Sequence, residues 1–483
     1  MSITSFYFLC LFALALVLYY VIPKKAQWAF LLLLSLGYFM TSDTVVQSGG
    51  WYVVFYLLAA VAAVWGAAIY IDRTAEPKKK RGVLVCAVLF CLGLLCVLRF
   101  FKLPLLAPLG ISFYTLTLLG YLFDVYYEIG KVQKNYFRLL LFGSYFPVMI
   151  SGPILKYQEM EGRLYSPHKL DYRQGTFGMQ RVLWGVFKVL VISERAAVIA
   201  NEIFDNYDSY AGLPIWVGAV AFTFQLYTNF SGCMDIVLGI SQCFGIELPE
   251  NFRAPFLSRS ISEYWRRWHI TLGTWLREYL FYPLLRTKFF MQLPKTLKPK
   301  LGKKRAKQAT TFLAMFLLWF AIGYWHGGTW NFIIGSGLLH WFYIVSGELL
   351  EPFFAKWKRS WHISEENRLF VFFQRLRTFA LVTLGLVFFR SPTVPDAVRM
   401  IGRGFSAANF RILWDGSLFS YGLDWIEFTI LAVSLLLFGW VSVRQQKGWL
   451  REKLEKKPLV LRWAVLYALL FYVILLGQYG PEY

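Results

Sequence analysis

Apolar stretches approaching twenty residues recur along the whole of this 483-residue chain. A helix needs about 20 such residues to cross roughly 30 Å of hydrocarbon. The clear cases are residues 6–22, 51–71, 83–97, 311–325, 379–389, 428–443 and 459–476, of which the third and fifth are short and extend through neighbouring aromatics. Weaker segments at 137–150, 178–199 and 216–245 raise the expectation to about eleven to thirteen membrane helices, some of them re-entrant. Composition agrees with this all-α, polytopic reading: hydrophobic residues make up 57% and charged residues 16%, against roughly 45–50% and about 25% in soluble chains. The apolar run at residues 1–20 has neither a basic n-region nor a small-residue cleavage site, so the expectation is a retained first helix rather than a signal peptide.

Fifty Lys and Arg against 28 Asp and Glu give a net charge of +22. In a membrane chain such an excess points to cytoplasmic loops that meet anionic lipid, not to nucleic acid. The basic clusters fall between spans: Lys24 and Lys25, residues 78–81, seven basic residues in the thirteen from 295 to 307, and residues 444–457. Residues 42–50 carry only Asp43. This asymmetry predicts an amino terminus outside the cytoplasm, the Lys24 loop inside, and residues 480–483 outside.

Cys86, Cys91 and Cys96 repeat every five residues within one apolar stretch without His or acid beside them, which reads as packing. No zinc spacing, P-loop or dinucleotide fingerprint is present, and no metal site is expected. No internal repeat is visible, which weighs against inverted-repeat transporters. The chain reads as a single transmembrane domain over 1–483, with hydrophilic interruptions at 156–174 and 287–308 and further connectors at 351–367 and 394–416.

A charge at the centre of a membrane helix costs at least about 2.5–3.5 kcal/mol, so polar residues inside apolar segments mark the places to search. Residues 251–285 mix Trp265, Trp268 and Trp275 with Arg266, Arg267, His269, Arg277 and Glu278. That is too charged for a lipid-facing span and too aromatic for a free loop, and it suits an amphipathic helix at the interface or along a polar cavity. On a helix Glu263 would pair with Arg267, and Arg266 would share a face with His269. An interfacial anchor with arginines on lipid phosphates explains the segment equally well. In residues 312–340, His326 ends an apolar run and precedes Gly327 and Gly328, so the helix should break there and turn the imidazole toward a cavity. A buried neutral imidazole can accept a hydroxyl proton, although a lone buried histidine is more often a hydrogen-bonded core residue. His340 lies fourteen residues on, while His168 and His362 sit in hydrophilic connectors. Asp124 and Asp235 are single acids among apolar neighbours, read as partners of Arg or Tyr that hold helices together, with a proton relay as the alternative.

At these residues the sequence resembles the membrane-bound O-acyltransferase (MBOAT) family, in its alginate O-acetyltransferase-like branch that modifies bacterial exopolysaccharides. The matching segments are PLGISFYTLTLLGYLFDVY from Pro108, SYFPVMISGPILKY from Ser144, the FSGCMD to WRRWH to FYPL run from Phe230, GYWHGGTWNFIIGSGLLH from Gly323 and VFFRSP from Val387. The resemblance implies a family core of about 1–405 followed by carboxyl-terminal helices at 406–483. It also implies a ring of tilted helices around a central funnel that meets the catalytic histidine. Carried over, His326 matches the catalytic histidine and His269 the second functional one. Arg266, Arg267, Asn251, Trp325, Asn331, His340 and Asp235 become candidates for substrate binding or oxyanion stabilisation. Cys233 stands where the branch more often has an aromatic residue.

The implied reaction is transfer of an acetyl group from acetyl-CoA, as donor substrate and with no bound cofactor, across a bacterial plasma membrane. The acceptor would be a cell-envelope polysaccharide, reached directly or through a separate extracytoplasmic partner of the SGNH-hydrolase type. Teichoic-acid D-alanyltransferases form a sister branch with both histidine blocks, and their chemistry is the alternative. A lipid or solute transporter and a non-catalytic scaffold are the readings from other classes.

Overall fold

The computed structural model describes residues 6–41, 45, 50–99, 110–149 and 151–479, and among these the regular structure is helical throughout, with no strand. The start of the amino-terminal run, Asp43 and most of 42–50, Pro108, and the carboxyl end at 480–483 lie outside the described residues, with the expectations placed on them. Among the described residues, seven helices are long and apolar enough to cross a membrane: Val53–Arg73, Pro77–Leu98, Lys288–Gly327, Trp330–Ser360, Arg368–Arg390, Trp425–Gln445 and Leu459–Leu476. Tyr7–Val21 and Ile111–Tyr126 are shorter apolar helices.

Trp330–Ser360, a span that the sequence expectations do not name, is apolar enough in spite of Gly335, Ser336, Gly337 and His340, and residues Ile333–Leu338 form a π-helical segment inside it. The hydrophilic interruptions are largely helical as well. Residues 288–308 belong to Lys288–Gly327, bent at Gly302 (φ 73°), and the connectors at 156–174 and 394–416 contain the helices Tyr157–Tyr165 and Val394–Phe405. Lysine and arginine are good helix formers, so loss of hydropathy ends a span without ending a helix.

The chain divides into two compact units. The first comprises Met1–Lys188, Phe230–Glu250 and Pro458–Tyr483, and the second Val189–Asn229 and Asn251–Lys457. In the first unit, helix Tyr172–Val186 and the part of helix Leu213–Cys243 from Phe230 onward cross at paired glycines. A Cβ on Gly178 would lie 2.6 Å from the Gly239 carbonyl oxygen, and one on Gly185 would lie 2.6 Å from that of Gly232. This close approach brings four charged side chains together. Arg181 donates through Nε to Asp235 (2.9 Å) and through both terminal nitrogens to Glu250 (2.7 and 2.6 Å), while Lys188 reaches Asp235 (2.6 Å) and the carbonyl and hydroxyl of Ser231. Asp235 thus pairs with Arg181 and Lys188 and ties helices together, the preferred reading of this acid from the sequence.

The second unit uses the same device where the π-helical segment Ile333–Leu338 packs between two spans. A Cβ on Gly335 would meet the Gly385 carbonyl oxygen at 2.7 Å, and one on Gly337 the Trp319 carbonyl oxygen at 2.5 Å. Small residues at both crossings let the backbones approach and gain dispersion contacts that lipid cannot replace.

Candidate active site

Within the second unit the histidine-bearing segments are built differently from one continuous amphipathic helix. Residues 251–285 break into Pro255–Leu257, Ile261–Arg267, Ile270–Leu276, a π-helical Arg277–Phe281 and Tyr282–Leu285. Ser260 caps the second of these by accepting from the Glu263 N–H (3.1 Å), and the Glu263 carboxylate accepts from the Arg259 N–H (2.8 Å) one residue before the cap, so that two donors at the helix start are satisfied. Glu263 also pairs with Arg267 at 2.7 Å, as the four-residue spacing predicts. The expected shared face of Arg266 and His269 is not formed. Helix Ile261–Arg267 stops, and His269 adopts φ 47° and ψ 52°, so the next helix leaves in a new direction. Arg266 is left exposed.

His269 is buried at that junction. Its Nδ1 lies 3.3 Å from Asn251 Oδ1, which also accepts from the Thr271 N–H (3.1 Å) and hydroxyl (3.0 Å). Outside the seven spans, this imidazole is pushed down to a pKa of about 3 by burial, with His326 acting in the same direction, and so is neutral at physiological pH.

Helix Lys288–Gly327 ends as expected immediately after His326, where Gly328 takes the left-handed φ of 75° and its N–H closes on the Tyr324 carbonyl. The ring of Phe332 folds over Gly327, so closely that a Cβ there would lie 2.2 Å from it. The half-buried His326 ring stands 5.0 Å from Trp325 and 5.6 Å from Phe389, both edge-on, and Trp325 stands 6.2 Å from His269. The structure therefore brings His326, Trp325, His269 and Asn251 into one run of contacts.

Asn331 is held by the chain around it. It is buried, donates to the Ser391 carbonyl (2.9 Å) and accepts from the Thr329 hydroxyl, tying the turn after His326 to the end of helix Arg368–Arg390. His340 is buried between Trp265 (4.9 Å, edge-on) and Trp319 (5.9 Å, stacked), next to Gly385. Its Nδ1 has no hydrogen-bond partner among the described residues. Arg375 and Arg377, which the sequence reading did not single out, donate to the Leu257 (3.0 Å) and Arg259 (2.9 Å) carbonyls and fasten the loop before Ile261 to the helix that carries Phe389. Phe389 was also missed as a site residue. Its only signal was its place in VFFRSP.

Residues 131–374, which include all of these histidines, match the MBOAT, membrane-bound O-acyltransferase family. The chain belongs to that family. It is 30% identical over 335 residues to the probable alginate O-acetylase AlgI of Pseudomonas syringae pv. tomato, covering 69% of this chain and 58% of that protein. It is 31% identical over 329 residues to the peptidoglycan O-acetyltransferase of Helicobacter pylori (63% of this chain, 58% of that protein). To the teichoic acid D-alanyltransferase of Bacillus subtilis it is 28% identical over 298 residues (59% of this chain, 69% of that protein). The chain thus spans just under three fifths of the length of the first two relatives.

Proposed function

We propose that this MBOAT member is an O-acyltransferase that moves an acetyl group from acetyl-CoA on the cytoplasmic side across a bacterial plasma membrane for O-acetylation of a cell-envelope polysaccharide. The observation that carries the reading is the placement of His326 at a helix end beside Trp325, in line with the neutral His269, inside the region that matches the family. The names of the Pseudomonas and Helicobacter relatives support acetyl as the group and a glycan as the acceptor.

In this reading His326 takes the proton from the acceptor hydroxyl as its oxygen attacks the thioester carbonyl carbon. The carbonyl oxygen becomes the oxyanion of a tetrahedral intermediate, its collapse breaks the carbon–sulfur bond, and the proton held on histidine passes to the departing thiolate. His269, with its ring 6.2 Å from that of Trp325, supports this exchange. Arg266, exposed at the end of its helix, is available to meet an anionic part of the donor. The final acceptor is a glycan hydroxyl or the serine of an extracytoplasmic SGNH-type acyltransferase that relays the group outward.

The test is acetyl transfer from labelled acetyl-CoA in inverted membrane vesicles containing the full chain, with and without an added SGNH-type acyltransferase. Label in the glycan or on the partner's serine is the expected result. Transfer of D-alanine from a carrier protein instead would replace acetyl by the sister chemistry, and solute uptake without label would end the acyltransferase reading.

A further inference from the structure

The junction that holds His269 is a bracket of two chain segments. The Arg253 N–H donates to the Arg267 carbonyl at 3.0 Å, and the Ile270 N–H donates to the Asn251 carbonyl at 3.0 Å. Between these two bonds His269 is held in the left-handed region, which non-glycine residues adopt only where the surroundings enforce it. The Asn251 side chain lies in the same bracket, and one of its atoms meets three groups: the Thr271 N–H, the Thr271 hydroxyl and His269 Nδ1.

The backbone N–H of Thr271 can only donate, so the atom it meets is the carboxamide oxygen and not the amino group. Facing an oxygen that only accepts, Nδ1 has one role left, which is to carry the proton and donate it. A neutral imidazole has a single ring proton, so the lone pair then resides on Nε2. We propose that Asn251 is a positioning residue that fixes His269 in its Nδ1–H tautomer and thereby makes Nε2 the basic nitrogen of the ring. The consequence for activity rests on the acyltransferase reading, whereas the tautomer does not.

The choice of a carboxamide has a physical reason. In a hydrolase triad a carboxylate orients the histidine and stabilises its protonated form. A carboxylate buried at position 251 would do both here, drawing a second proton onto His269. Asparagine supplies the orientation without the charge, and leaves the ring neutral beside His326. The strained backbone of His269 and the triple acceptance at Asn251 together point to one enforced ring orientation.

The experiment is solid-state 15N NMR of the full chain in liposomes, with histidine labelled at both ring nitrogens and the His269 signals assigned by difference against His269→Gln. The wild-type protein should show a protonated Nδ1 and a bare Nε2 at pH 7. In Asn251→Ala the ring should lose that single form, and transfer to the acceptor should fall roughly 10- to 100-fold with little change in KM. In Asn251→Asp both nitrogens should be protonated. A protonated Nε2 in the wild type, or an unchanged tautomer in Asn251→Ala, would overturn the proposal, and the wild-type spectrum decides even if the variants fail to fold. A tautomer shift without loss of transfer would uphold Asn251's hold on the ring and overturn instead the part given to His269 in the reaction.

Discussion

Arg181, Lys188, Asp235 and Glu250 in the first unit direct two positive and two negative charges at one another, whereas His269, His326 and His340 in the second stand among Trp325, Phe389, Trp265 and Trp319. Both groups are polar residues embedded in an apolar chain. The first is a network whose charges are matched by hydrogen bonds of 2.6 to 2.9 Å, which makes it an internal tie between helices. The second consists of bases lined by rings, with backbone breaks at His269 and Gly328 that face side chains toward one another. Matched charges resist change, while imidazoles lined by rings and set beside chain breaks can give and take protons. Burial of a polar residue therefore does not by itself mark a functional site, and the state of its partners does.

This contrast is broken most directly by exchanging the expected outcomes. His326→Ala should lower acyl transfer by about 10² to 10⁴-fold, the range for loss of a general base, with the amount of protein in the membrane unchanged. Immunoblotting alongside a labelled-acetyl assay reads both, and a fall in protein level equal to the fall in transfer would remove the distinction. Arg181→Met should do the reverse. It leaves Asp235 and Glu250 without their shared partner, which costs about 3–5 kcal/mol when a buried pair is broken. The expected result is a strongly lowered thermal midpoint in detergent, with transfer per folded molecule preserved. Wild-type thermal stability in that variant would show that the network is not a tie.

How much of this contrast could be read from the chain depends on the distance between partners. The spans were legible because hydropathy is a local property, and so was the helix end at His326, where two glycines follow directly. The pairing of Glu263 with Arg267 is also local and follows from helix spacing. Asp235 and Arg181 are 54 residues apart, and nothing in either sequence neighbourhood names the other. Asn251 lies 18 residues from His269, and the left-handed turn that unites them has no glycine to announce it. That turn is why Arg266 and His269, neighbours on an ideal helix, do not share a face. Asn331, singled out for its place near His326, proved to hold the chain to Ser391, a contact across 60 residues.

A smaller effect sharpens the comparison from the side of packing. Gly385→Val would place a Cβ about 2.9 Å from the Gly335 carbonyl oxygen and 3.3 Å from His340 Nε2, so the crossing must open. Overpacking of this kind costs about 1–3 kcal/mol. Because helix Arg368–Arg390 also carries Phe389 against His326, transfer should fall together with stability. Loss of stability alone would separate the crossing from the histidine pocket.

The smallest expected effect falls at the start of the His269 region. Ser260→Ala removes the hydroxyl that accepts from the Glu263 N–H and should cost about 1 kcal/mol, the usual value for an N-cap. Helix Ile261–Arg267 is only seven residues long, too short to persist on propensity, so fraying at its start is resisted by Glu263 on the Arg259 N–H and by Arg377 on the Arg259 carbonyl. Those two contacts remain in the variant, and the junction at His269 lies beyond the far end of the helix. The thermal midpoint should therefore drop slightly while transfer holds within about twofold. A loss of transfer as large as that in Asn251→Ala would mean that the left-handed turn at His269 depends on the whole helix before it, and not on the bracket formed by residues 251–253 and 267–271.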